Sequence, residues 1–132
     1  MRRTKAEKLS PAEWKIMNII WKEKSCATRD VHAIAQKAQG WSRSTVTTLL
    51  RRLVDKGYLK TTQVGNSFLY RPARSPIKSY LEAADTLLDN TLEGMTAPIL
   101  VHMVKKGNLS EEEIQSLQDL LNEYSERKES GE

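Results

Sequence analysis

Apolar residues in the first half of the chain recur at three-and-four spacing, the mark of helices that bury one face. In LSPAEWKIMNIIWKEK the stripe is Trp14, Met17, Ile20 and Trp21. Ser10 suits an N-cap, Pro11 the first helical position, and Glu13 completes a capping box, with Leu9 and Trp14 placed as a hydrophobic staple. A second helix is expected from about Thr28, with Val31, Ile34, Ala35 and Ala38 inward and Gly40 as its break. Ser42 caps a third, in which Val46, Leu49, Leu50 and Leu53 face inward, Trp41 and Val46 form the staple, and Gly57 ends the run.

The pattern then changes period. In YLKTTQVGNSFLYRP, β-branched and aromatic residues flank Gly65–Asn66, which predicts a β-hairpin stopped at Pro72. Two helices joined by a short turn and followed by a hairpin make a winged helix-turn-helix, assigned to residues 1–74.

Residues 75–132 return to helical spacing. Ser75–Pro76 opens a helix carrying Ile77, Leu81, Ala84 and Leu88, and TAPILVHMV, with Ile99 and Leu100, forms a short apolar one ended by Gly107. Ser110 and Glu113 make a second capping box, with Leu109 and Ile114 as staple. The helix they open carries Ile114, Leu117, Leu121 and Tyr124 in a 3-4-3 seam. Three helices of this size bury little surface alone, so the stripes are expected to meet a second copy, with a folded-back monomeric bundle as the alternative. The fold class is therefore mainly α with a small β-hairpin: a winged helix plus a C-terminal three-helix dimerisation domain. The polar tail SERKESGE is expected to fray.

The face of the third helix opposite its stripe changes the picture. It presents Ser44, Thr47, Thr48 and Arg51, with Thr45 and Arg52 beside them and no carboxylate before Asp55. Serine and threonine are mediocre helix formers, so a face built only for stability would carry other residues. In the major groove the choice is intelligible. Short hydroxyls let the backbone approach base edges, while Arg51 and Arg43 reach guanine or phosphate. Charge agrees: residues 1–74 carry a net +11 and residues 75–132 a net −7. Lys60, Asn66 and Arg71 on the hairpin, and Arg2, Arg3 and Lys5 at the start, would add phosphate contacts. The alternative for the face is an ordinary solvated helix.

These stretches also carry a resemblance. LSPAEWKIMNIIW, WSRSTVTTLLRRLVDKGYL and VGNSFLYRP resemble the penicillinase-repressor family, and GNLSEEEIQSLQDLLNE resembles it less distinctively. The resemblance implies a homodimeric repressor on a palindromic operator, with a C-terminal dimerisation domain. In antibiotic-resistance members it further implies a membrane sensor-protease system and cleavage within the dimerisation domain. The position matching the cleaved Asn–Phe bond is His102–Met103, a different bond. The copper-responsive branch carries paired Cys-x-Cys motifs, absent here, and the wing tip reads Gly65–Asn66 where the family often has Gly-Arg.

Other chemistry finds little support. Cys26, His32 and His102 lack ligand spacing, so no metal or cofactor is expected, and both histidines read as packed side chains. Cys26 reads as a buried structural thiol. With one cysteine, no apolar run long enough to cross a bilayer and no signal-like start, the chain is expected to be a cytoplasmic non-enzyme. A winged-helix protein-interaction module and a ligand-gated repressor remain the rival functions.

Overall fold

The computed structural model describes residues 8–131; Arg2, Arg3 and Lys5 lie outside them. The elements run α1 (Pro11–Glu23), β1 (Cys26–Ala27), α2 (Thr28–Gln39), α3 (Arg43–Asp55), β2 (Leu59–Val64), β3 (Ser67–Pro72), α4 (Pro76–Asp89), α5 (Thr96–Lys106) and α6 (Glu111–Glu129). The chain divides into two compact units, Met1–Asp85 and Thr86–Glu132.

In the first unit, α1, α2 and α3 enclose one core. Ile16, Met17 and Ile20 from α1 meet Val31 and Ala35 from α2 and Val46, Leu49, Leu50 and Leu53 from α3, all buried. The α1 stripe is thus centred on Ile16, with Trp14 and Trp21 at its margin. The two tryptophans have a partner far along the chain. Tyr80 of α4 stacks on Trp14 at 5.7 Å and meets Trp21 edge-on at 5.5 Å, and its hydroxyl donates to Asn18 Oδ1. Trp21 Nε1 also donates to the Arg74 carbonyl at 2.9 Å. The first turns of α4 therefore belong to this compact unit, past the charge boundary at residue 74.

The helix ends follow from their residues. The Ser10–Glu13 capping box is complete. Glu13 is itself buried: its Oε1 accepts from the Ser10 amide at 2.8 Å and from Lys56 Nζ at 2.7 Å, which ties the start of α1 to the end of α3. Beyond α3, the Gly57 amide donates to Val54 O and the Tyr58 amide to Leu53 O, a Schellman cap. Gly57 sits at φ 83°, with open space where a Cβ would lie. Gly57→Ala is expected to lower unfolding free energy by about 1 kcal/mol through backbone strain alone, read as a fall in Tm.

β2 and β3 form the hairpin, with Val64 opposite Ser67 across Gly65–Asn66. Gly65 has φ 61°, as a type II′ turn requires of its first central residue. The sheet gains a strand that periodicity could not reveal: two-residue β1 pairs with β3, giving the antiparallel order β1-β3-β2.

The second unit is built differently. α5 and α6 contain no buried residue among those described. Leu100, Met103, Val104, Leu117, Leu120, Leu121 and Tyr124 are all exposed in the single chain. The Ser110–Glu113 capping box forms as expected. The tail does not fray at Tyr124, because α6 continues to Glu129. Glu123 pairs with Arg127 at 3.6 Å one turn on, and Lys128 Nζ lies 5.4 Å from the Tyr124 ring centre.

Candidate nucleic-acid interface

The buried stripe of α3 fixes which side chains face out. With Val46, Leu49, Leu50 and Leu53 locked in the core, Ser44, Thr45, Thr47, Thr48, Arg51 and Arg52 are all exposed. The Ser42 cap accepts from the Thr45 amide at 3.3 Å, which sets where the helix begins.

The hydroxyls on this face are already oriented. Ser42 Oγ lies 3.2 Å from Ser44 Oγ and 3.1 Å from Thr45 Oγ1. Thr48 donates its proton back to the Ser44 carbonyl at 2.9 Å, which leaves its oxygen able only to accept from another partner. Thr47 Oγ1 lies 3.2 Å from His32 Nε2 on α2. Arg51 takes part in no ion pair among the described residues. An oriented hydroxyl face with unpaired guanidinium groups is suited to direct hydrogen bonding to base edges.

The hairpin adds cations. Lys60 and Arg71 are cross-strand partners, so both exposed side chains emerge from one face of the sheet. Directly opposed like charges destabilise a hairpin, and a polyanion laid against them removes that cost. Arg71 also donates to Thr62 Oγ1 at 3.3 Å, which holds it along the strand.

Between α2, the start of α3 and the wing tip lies a cleft of about 280 Å³. It brings together two of the sequence-predicted residues, Arg43 and Asn66, with two that sequence reasoning did not assign to the interface, Arg29 and His32. Arg29 and His32 are spaced i, i+3 on α2, and that spacing beside the start of α3 was the available signal. Lys60 and Arg71 do not line this cleft. Burial, and then the Arg43 charge, hold the His32 pKa below the usual histidine value. Cys26 is buried at the β1–α2 junction. Burial, then Asp30 and Glu23, push its thiol up, which suits an inert structural cysteine.

The helical core, the capped α3 and the three-stranded antiparallel sheet with its wing define a winged helix-turn-helix protein. The penicillinase repressor family profile matches residues 9–123, and the chain belongs to that family. It is similar to the penicillinase repressor of Bacillus licheniformis, 32% identical over 125 residues covering 94% of this chain and 97% of that one. It is also similar to the methicillin resistance regulatory protein MecI of Staphylococcus aureus (strain N315), 28% identical over 118 residues, 89% of this chain and 96% of that one. Among solved structures, the DNA-binding domain of the repressor BlaI superposes with a TM-score of 0.52 at 35% identity, covering 56% of this chain and 90% of that one. A Bacillus licheniformis BlaI monomeric form in complex with the blaP half-operator gives 0.50 at 36% identity, covering 55% and 88%. The family is one of DNA-binding transcriptional repressors, not enzymes, and this chain is a DNA-binding repressor. No helix of the described residues is long and apolar enough to cross a membrane.

Proposed function

We propose that the protein represses transcription as a homodimer on a palindromic operator, each subunit placing α3 in one major groove. Ser44, Thr45, Thr47, Thr48 and Arg51 read base edges, while Arg43, Lys60, Asn66 and Arg71 hold phosphates. The carboxylate-free hydroxyl-and-arginine face of α3 carries this reading. The relative solved in complex with a half-operator supports it, since 88% of that chain is matched by this one.

Pairing falls to residues 75–132 through Ile77, Leu81, Leu88, Ile99, Leu100, Ile114, Leu117, Leu121 and Tyr124. All of these are exposed in the single chain except half-buried Ile99, a display of apolar surface that a second copy would cover. Two linked half-sites bind with avidity, so loss of pairing switches repression off. A membrane sensor-protease system could act there by cutting His102–Met103. That bond lies within α5, so cutting it would require the helix to open locally first.

A mobility-shift titration with fragments of the source genome tests the reading. Affinity is expected to fall by about 10³ or more between roughly 50 and 200 mM salt, as release of counterions from several phosphates requires. Salt-insensitive binding, or none to any fragment, would instead favour a protein-interaction module.

A further inference from the structure

Thr47 stands on the exposed face of α3, yet its hydroxyl oxygen lies 3.2 Å from His32 Nε2, a side chain of the preceding helix. A hydroxyl has one proton, and the partner that takes or supplies a hydrogen bond decides where that proton points. If Nε2 is bare it accepts the Thr47 proton. Thr47 then shows the groove only lone pairs, matching the amino groups of adenine or cytosine. If Nε2 carries a proton it donates to Oγ1. The Thr47 proton then turns outward, matching acceptors on guanine or thymine. We propose that His32 is a positioning residue for base recognition, setting through its protonation whether Thr47 meets the operator as acceptor or as donor.

The surroundings make this switch usable. His32 is half-buried, in the cleft that Arg29 lines from α2 and Arg43 from the start of α3. Asn66, Ser67 and Phe68 line it from the wing and are uncharged, and no carboxylate among the described residues lines it. Burial, and then the Arg43 guanidinium, hold the His32 pKa below the usual histidine value, which keeps the free imidazole neutral at neutral pH. A phosphate backbone brought over Arg29 and Arg43 offsets their charge and draws the histidine toward its protonated form. Protonation removes the choice between tautomers: Nε2 must donate, and Thr47 must face the groove as a donor.

This inference rests on the DNA-binding reading, and its test has one arm that needs no DNA. In the free full-length protein, imidazole ¹⁵N shifts are expected to place His32 in hydrogen-bonded contact, and Thr47→Val to move the Nε2 resonance. An Nε2 resonance unchanged in Thr47→Val would overturn the contact whether or not the protein binds a duplex. In the second arm, a random-duplex library is selected at about pH 8 and again at about pH 5.5, either side of the ordinary histidine range. One position per half-site is expected to shift by about fivefold toward guanine or thymine at the lower pH, the scale of one hydrogen bond. His32→Gln, which cannot titrate, and Thr47→Val should each abolish the shift. A wild-type preference that ignores pH, or a shift that survives in Thr47→Val, would overturn the proposal while leaving DNA binding intact.

Discussion

Replacing Leu121 by glutamate is expected to leave the winged helix folded and weaken operator binding by about 100-fold or more, the avidity lost when two half-sites are no longer linked. Leu121 is 63% exposed in the single chain, so the substitution breaks no contact inside the first unit, whose core comes from residues before Arg74. Placed in an apolar seam between copies, the carboxylate would lose its hydration without gaining a partner. Sedimentation equilibrium should report a monomer, while circular dichroism stays near that of the parent. Affinity for an isolated half-site should be unchanged, because α3 is untouched. A Leu121→Glu protein that stays dimeric with full operator affinity would remove α6 from the pairing surface.

Lys56→Met acts on the other unit. Lys56 Nζ meets Glu13 Oε1 at 2.7 Å and also donates to the Lys8 carbonyl at 2.8 Å. The glutamate side chain is 1% exposed and the lysine 21%, so solvent screens the pair only in part. Methionine keeps the apolar stem and removes the charge, leaving Glu13 to its bonds with Ser10. The expected cost is about 2–3 kcal/mol, between that of a fully buried pair broken on one side and an exposed one. Thermal unfolding should fall by about 10 °C or more. Burial alone would raise the Glu13 pKa, but the hydrogen bonds from Lys56 and Ser10 outweigh it and hold the carboxyl below its usual value. A carboxylate depressed on folding contributes stability above its unfolded pKa and loses that contribution as pH falls through the folded one. The parent should accordingly lose stability in acid, whereas Glu13→Gln, already neutral, should show a flatter acid limb.

What could be read from the residues was what local pattern encodes. The α3 stripe, the two capping boxes and the Gly65–Asn66 turn are each set by neighbours within a few positions, and all formed. What escaped depended on distant partners. Trp14 and Trp21 share helical spacing with the core, but their place is set by Tyr80, and no periodicity links positions so far apart. β1 has two residues, too few to show alternation. The extension of α6 past Tyr124 carries an exposed ion pair and a cation over a ring, in a segment whose polarity alone reads as a loose tail. In the interface, exposure of the α3 residues followed from the stripe. His32 did not, because a single histidine beside an apolar face gives no sign that its nitrogen reaches a hydroxyl on the next helix.

The central claim is that the outward face of α3 reads a duplex. The most direct measurement is selection of a random-duplex library by the parent and by Arg51→Ala at matched salt, with sequencing of what each retains. The parent should enrich two related half-sites. The variant should lose preference at one position in each half-site, a loss of about 1–3 kcal/mol, while its salt dependence falls by no more than one phosphate contact. Identical motifs from both proteins, or no motif from the parent, would contradict the account.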